Sequence, residues 1–115
     1  MLSRLLTASV LLVLTVLVAA SNLRAEPIDA AAAQALAKKN DCFKCHAMDK
    51  TKKGPSIKKI AEKYRGKADG QEKAIKNMTT GPKVKLDDGT QEEHKIIDTK
   101  DMKELKNLAN WMLAQ

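Results

Sequence analysis

The feature that most constrains this chain is the segment Cys42–His46, which reads Cys-Phe-Lys-Cys-His. The spacing Cys-x-x-Cys-His is typical of covalent attachment of a c-type haem, in which each thiol adds across one vinyl group. The imidazole that follows the second thiol is then held under the iron as an axial ligand. The pattern therefore predicts a haem joined through Cys42 and Cys45, with His46 bound to the iron.

A Cys-x-x-Cys pair has two other common uses. A thioredoxin-like redox pair needs a βαβ context, which this sequence lacks. A zinc site needs more ligands at metal spacing, and the chain has only 2 cysteines. Haem attachment is therefore the favoured interpretation.

Length and composition indicate a small helical domain. The 115 residues form one domain once a targeting segment is removed. Such a domain buries a modest core, and the aromatic residues are limited to Phe43, Tyr64 and Trp111. A large apolar prosthetic group at the centre would supply the apolar core volume that the side chains do not provide. The chain is rich in Ala, Lys, Leu and Met and poor in β-formers after residue 25, which predicts an all-α class.

Residues 1–25 have the features of an export signal. Arg4 gives a short positive region, Leu5–Val18 is apolar, and small residues follow. Cleavage after Ala25 is preferred, and cleavage after Ala20 is the alternative. The functional domain is then residues 26–115.

An uncleaved membrane anchor is the competing interpretation of the same segment. No charge interrupts Leu5–Leu23, although this length is at the low end for a spanning helix. In both cases the domain lies outside the cytoplasm, and the periplasm of a bacterium is expected. This agrees with the haem pattern, since c-type haem is attached on that side.

The mature chain is basic. Without residues 1–25, which contain Arg4 and Arg24, it keeps 19 basic and 14 acidic residues, a net charge of +5. A lysine cluster lies close to the haem pattern in sequence: Lys44, Lys50, Lys52, Lys53, Lys58 and Lys59. It is either a solvated face or a docking ring for an acidic redox partner. Nucleic acid is not expected, because arginine is scarce and no aromatic residue interleaves the basic run.

The apolar spacing predicts four helices after residue 25. Asp29 and Ser56 are expected to cap the first two. The predicted helices are Ala30–Asn40, Ile57–Tyr64, Gln71–Met78 and a last one that begins at Asp98 or Thr99 and runs toward Gln115.

Gly54-Pro55 follows His46 by eight residues, and a short helix comes next. Together with the haem pattern and a C-terminal helix containing Trp111, this resembles the bacterial class I monohaem cytochromes c. The resemblance implies that Pro55 lies against the proximal imidazole, that the backbone before it helps orient the ring, and that Gly54 allows the tight turn. It also implies that the first and last helices cross, with Trp111 against the alanine face of the first.

The sixth ligand departs from that family, which usually presents a Met just before the final helix. The corresponding loop, Thr79–Asp98, contains no Met but does contain His94. Met48 is too close to His46 to reach the other haem face, while Met78, Met102 and Met112 fall at apolar helical positions and are expected in the core. The loop lysines Lys83, Lys85 and Lys95 would first have to lose a proton. His94 is therefore the predicted distal ligand, and an open or weakly ligated site is the alternative.

The segment Val84–Ile96 has a turn signal at Asp88-Gly89 between short alternating stretches. It is expected to form an irregular hairpin that carries His94 to the iron. Glu92 and Glu93 are close enough in sequence to hydrogen-bond the far nitrogen of the His94 ring.

Two classes of function follow. The first is one-electron transfer by a haem with two His ligands, at a lower reduction potential than His/Met relatives because His favours ferric iron. The second is binding of a diatomic gas at a sixth site that is vacant or opens on reduction. No nucleophile–base pair or second metal constellation is apparent in the sequence, so an enzyme is not expected.

Overall fold

The computed structural model describes residues 26–115. The predicted export signal, and the anchor that is its alternative, lie outside the described residues. The elements run in the order α1 (Ala30–Lys39), α2 (Cys42–Cys45), α3 (Ile57–Tyr64), α4 (Gly70–Thr80), β1 (Lys83–Lys85), β2 (Gln91–Glu93) and α5 (Met102–Leu113). None of these helices is long and apolar enough to cross a membrane. The predicted all-α class is confirmed, with the addition of one two-stranded hairpin.

Two helices begin at the capping residues that the sequence predicts. The Asp29 carboxylate accepts a hydrogen bond from the Ala32 N–H at 2.9 Å, which starts α1. The Ser56 hydroxyl accepts from the Lys59 N–H at 3.1 Å, which starts α3. Each cap satisfies a backbone donor that has no partner within its own helix.

The last helix begins later than predicted. The N-cap of α5 is Asp101, whose carboxylate accepts from the Lys103 N–H at 2.9 Å. Asp98 is not part of the helix because its N–H and its carboxylate bond to the Asn40 side chain, each at 3.0 Å. The predicted start at Asp98 or Thr99 is therefore wrong.

The core forms where α5 packs against α1, α3 and α4. Ala33 and Ala37 are buried on α1, and their small side chains let α5 approach closely. Trp111 is buried in the same core, and its ring meets Phe43 edge to face with centres 6.4 Å apart. Met102, predicted to be a core residue, is instead 50% exposed, because α5 begins there and its first position lies at the edge of the packed region.

The hairpin follows α4 and directly precedes His94. Lys83 pairs with Glu93 and Lys85 pairs with Gln91 across antiparallel strands. Gly89 occupies the turn with a φ of 86°, which favours glycine. The predicted hairpin is thus present, although its strands are only three residues long.

Candidate haem site

A cavity of about 670 Å³ lies between the loop after α2, the hairpin and helices α3, α4 and α5. Cofactor sites commonly measure about 300–1,000 Å³. Cys42, Cys45, His46, Pro55 and His94 all line it, so the structure brings the five predicted site residues together. The remaining lining is largely apolar and includes Ile57, Ile60, Ala74, Met78, Val84, Leu86, Ile97, Leu108, Trp111 and Met112. An apolar group held here would complete the core.

Both cysteines lie on α2, directly after a sharp turn at the end of α1. Asp41 adopts the left-handed conformation, with a φ of 58°, which a short polar side chain tolerates better than most. The turn lets α2 begin at once with Cys42. Both thiols are half-buried and free of any disulfide, and burial raises the pKa of Cys42. Two free thiols one helical turn apart on the cavity wall suit attachment of a haem through two thioether bonds.

The His46 ring is oriented by the backbone of the loop that follows it. Its Nδ1 lies 2.7 Å from the Pro55 carbonyl oxygen. A carbonyl oxygen only accepts, so Nδ1 carries the proton and Nε2 keeps its lone pair for a metal. Burial lowers the pKa of His46, which favours the neutral, metal-binding form.

Gly54 allows this close contact. A Cβ at Gly54 would lie 2.8 Å from His46 Cε1 and 3.2 Å from Nδ1, closer than carbon atoms pack. The carbonyl that orients the ring belongs to Pro55 itself, whereas the resemblance assigned that role to the preceding backbone. The glycine is needed for close packing against the imidazole. Its φ is not positive, unlike those of Gly66, Gly81 and Gly89, so the expectation that the turn itself needs glycine is not supported.

The second imidazole comes from the segment after β2. The His94 N–H donates to the Pro82 carbonyl at 2.8 Å, which fixes the backbone beside β1. The ring Nδ1 lies 2.9 Å from the Lys95 carbonyl oxygen, so Nε2 again keeps its lone pair. The predicted contact with Glu92 or Glu93 is wrong, because a backbone carbonyl takes that place while both carboxylates lie on the exposed strand.

The two imidazoles lie near one another across the cavity. Their ring centres are 6.1 Å apart and their planes are inclined by 34°. A metal–imidazole bond is about 2.0–2.1 Å, so two rings that bind one metal from opposite sides have centres about 6 Å apart. The observed separation fits a single iron between His46 and His94.

The methionines within residues 26–115 divide into two groups. Met48 and Met102 are exposed, at 37% and 50%. Met78 is buried on α4, Met112 is half-buried on α5, and both line the cavity. The prediction of core positions therefore holds for Met78 and Met112. Met78 is the natural control for any experiment on the distal ligand.

Positive charge is concentrated on one stretch of the chain. Residues 44–67, here called the basic segment, contain nine basic and two acidic residues, a net charge of +7. Residues 26–115 as a whole carry +5, so the remainder of the described chain carries −2. Two members of the lysine cluster are engaged internally: Lys44 pairs with Asp41 at 3.1 Å and Lys52 donates to the Phe43 carbonyl at 3.0 Å.

Comparison with known proteins shows which family this chain belongs to. Residues 30–115 match the cytochrome c family. The chain belongs to that family. It is 53% identical to the class 1 cytochrome MtoD from Sideroxydans lithotrophicus ES-1, over 76% of this chain and 97% of that chain, with a TM-score of 0.73. It is 30% identical to wild-type cytochrome c552 from Nitrosomonas europaea, over 70% of this chain and 95% of that one, with a TM-score of 0.55. No curated protein matches significantly.

The resemblance to class I cytochromes c, and the cytochrome c fold that it implies, are therefore confirmed. A cytochrome c holds haem c and its iron by covalent bonds, so the predicted cofactor is confirmed as well. Cys42, Cys45, His46 and His94 are the residues of this cytochrome c that would hold the group.

Sequence reasoning missed two features of the site. Tyr64 and Asn77 line the cavity and hydrogen-bond to each other at 3.0 Å, which provides a polar pair in an apolar wall. Asn40 links the end of α1 to Asp98. Local sequence gives no signal for either contact, because the partners are distant in the chain and no apolar periodicity marks them.

Proposed function

We propose that this cytochrome c is a one-electron carrier whose haem is held by thioether bonds to Cys42 and Cys45, with His46 and His94 as axial ligands. The separation of 6.1 Å between the two imidazole centres is the observation that carries the proposal. When bound, the haem supplies the redox chemistry, a change of one electron between ferric and ferrous iron.

The protein contributes two fixed imidazoles. Each Nδ1 donates to a backbone carbonyl, of Pro55 for His46 and of Lys95 for His94, which fixes the tautomer and raises the basicity of Nε2. A more basic ligand favours ferric iron, so the reduction potential lies below that of a His/Met relative. Because neither ring has to move on reduction, electron transfer requires little rearrangement.

The alternative of gas binding requires free space opposite His46. The His94 ring lies there, with its backbone hydrogen-bonded to Pro82. The arrangement supports a carrier that keeps both ligands, and it supports an electron-transfer protein over an enzyme.

The first prediction tests the distal ligand. His94→Ala removes the second strong-field ligand, so a low-spin six-coordinate spectrum should become high-spin or water-ligated, and the ferrous form should bind carbon monoxide at once. Absorption spectra of both redox states, with and without carbon monoxide, make the measurement. Met78→Leu is the control and should leave the spectra unchanged. An unchanged spectrum in His94→Ala with an altered one in Met78→Leu would assign the ligand to Met78 instead.

We also propose that residues 1–25 are a cleaved signal and that the mature domain, residues 26–115, functions in the periplasm. The charged, apolar and small-residue regions of this segment support the proposal. The second prediction is that protein purified from a periplasmic extract begins at Glu26, as read by N-terminal sequencing. Recovery of an intact Leu5–Leu23 segment in the membrane fraction would establish an anchor instead.

The partner is proposed to be a redox protein with an acidic surface that approaches the basic segment. The excess of lysine over acidic side chains in residues 44–67 supports this.

A further inference from the structure

Asn40 is a buried polar residue at the end of α1, with only 4% of its surface exposed. Its Nδ2 group donates to the Leu36 carbonyl and to the Asp98 carboxylate, both at 3.0 Å. Its Oδ1 accepts from the Asp98 N–H, also at 3.0 Å. A buried amide with three such bonds imposes a specific geometry on both segments that it joins.

The two bonds between Asn40 and Asp98, here called the clasp, connect distant parts of the chain. The partners are 58 residues apart in sequence. Only Asp41 separates Asn40 from the thioether-bearing helix α2, and Asp98 follows His94 by four residues. The clasp therefore links the point of haem attachment directly to the segment that carries the distal imidazole.

The segment that carries His94, residues 94–98 and here called the distal segment, is held by different kinds of contact on its two sides. Toward α4 it is held by backbone bonds, from the Ile97 N–H to the Met78 carbonyl at 2.8 Å and from the His94 N–H to the Pro82 carbonyl at 2.8 Å. Toward α1 the other contacts are exposed ion pairs, Lys95–Asp41 at 3.4 Å and Lys39–Asp98 at 3.3 Å. Exposed pairs of this kind contribute little. The clasp, in which Asn40 is buried and Asp98 is exposed, is thus the firmer attachment on the α1 side.

We propose that Asn40 and Asp98 are positioning residues for the distal ligand, and that the clasp sets how slowly His94 leaves the iron. This inference rests on the proposed function, in which His94 is an axial ligand. Because the segment is held on both sides of His94, the movement that carries the ring away from the iron must strain or break the clasp, and dissociation is slowed. Without the clasp, the segment after His94 is free to move away from α1.

The third prediction is a rate measured on the ferrous holoprotein. Carbon monoxide binds only after His94 dissociates, so the observed rate in the wild type should saturate at the dissociation rate as carbon monoxide rises. Asn40→Leu removes the clasp while filling a similar volume, and it should raise the saturating rate by at least about tenfold, given the typical worth of two hydrogen bonds. Stopped-flow absorption at increasing carbon monoxide concentration makes the measurement.

The chain offers a matched control on the other end of α1. Asn107 on α5 makes the same kind of reciprocal contact with the backbone of Asp29, with both bonds at 2.9 Å. Asn107→Leu should destabilise the fold by loss of the same number of bonds between distant segments, yet leave the saturating rate within about twofold of the wild type. An equal acceleration in both variants would show that any loss of stability loosens His94, and would overturn the clasp.

A second pair of variants keeps the test decisive if Asn40→Leu does not fold. Both variants keep the backbone N–H of residue 98. Asp98→Asn also retains an oxygen acceptor for Asn40 Nδ2, so it should keep most of the slow rate, whereas Asp98→Leu loses that bond and should be faster. Equal rates in these two variants would overturn the proposal. A wild type that has a high-spin ferrous absorption spectrum and a rate that rises in proportion to carbon monoxide would instead show that His94 is not a ligand, which removes the proposed axial pair together with the clasp. A saturating wild type with no change in Asn40→Leu overturns the clasp alone.

Discussion

Gly54 has no Cβ, which allows the imidazole of His46, the proposed proximal ligand, to pack closely against the loop. An alanine Cβ at this position would lie 2.8 Å from His46 Cε1, so the imidazole or the loop must shift. The fourth prediction is that Gly54→Ala weakens the hydrogen bond of 2.7 Å from His46 Nδ1 to Pro55, and with it the basicity of Nε2. Ferric iron then loses stability relative to ferrous iron. The reduction potential should rise by on the order of 60 mV, equivalent to a tenfold change in relative affinity.

Gly89→Ala is the control for this experiment. Gly89 has a positive φ of 86°, and a Cβ added there would have no neighbouring atom within 4 Å, so alanine strains the backbone without touching the site. It should lower the free energy of unfolding by about 1 kcal/mol and leave the potential unchanged. Redox titration and denaturant unfolding of both variants separate the two effects. A Gly54→Ala protein with the wild-type potential would show that the His46 ring adapts without cost.

The proximal half of the site is predictable from single residues because its chemistry is local. Cys42, Cys45, His46 and Pro55 lie within fourteen positions of one another, and the haem pattern with the family resemblance predicts that they share one site, which the structure brings together. The distal half depends on contacts between distant residues. His94 is recognisable in the sequence because it is a strong ligand type in its loop. No sequence signal marks the two groups that hold it, which are the Lys95 carbonyl that orients its ring and the Asn40 side chain that anchors its segment.

Among the elements, those with a local capping residue are predicted best. Helix α3 runs over the predicted Ile57–Tyr64 because Ser56 caps it through a contact only three residues away. The start of α5 is predicted too early because Asp98 is a good capping residue by type, yet a distant contact with Asn40 takes its polar groups. Asp101 therefore becomes the N-cap. Predicted helix boundaries are wrong where tertiary hydrogen bonds compete with local capping hydrogen bonds.

The hairpin is small, but it forms part of the cavity wall and bonds to the loop before Gly54. Its strands bury few side chains. Val84 and Leu86 are half-buried and line the cavity, and Lys83 and Lys85 border the same cavity but are exposed. The Asp87 N–H donates to the Lys53 carbonyl at 3.0 Å, which joins the tip of the hairpin to the loop before Gly54. The hairpin thus covers one side of the cavity and connects the segment that carries His94 to the loop after His46.

Over the whole molecule, charge is distributed unevenly. The basic segment carries +7 while the remaining described residues carry −2. Lys53 and Lys63 of this segment also line the haem cavity and are exposed. An anion or an acidic surface is therefore attracted toward the side of the molecule where the haem is held, and this attraction weakens as salt shortens the Debye length to about 3 Å at 1 M.

The fifth prediction concerns the rate of electron transfer with small charged reagents as oxidants of the ferrous protein. The rate with anionic ferricyanide should fall as ionic strength rises, and the rate with cationic hexaammineruthenium(III) should rise. Replacing Lys53→Glu and Lys63→Glu together reverses the charge next to the cavity. At low salt this double variant should react at least about tenfold more slowly with ferricyanide, and the difference should disappear near 1 M salt.

The control has the same change in net charge at another place. Lys103→Glu and Lys106→Glu alter two exposed lysines of α5 that do not line the cavity. Because the local potential at the haem, rather than the total charge, steers the encounter, this variant should keep most of the wild-type rate with ferricyanide. Equal slowing in the two double variants would show that only net charge matters. Salt-independent rates with both reagents would leave the basic segment as a solvated face with no part in docking.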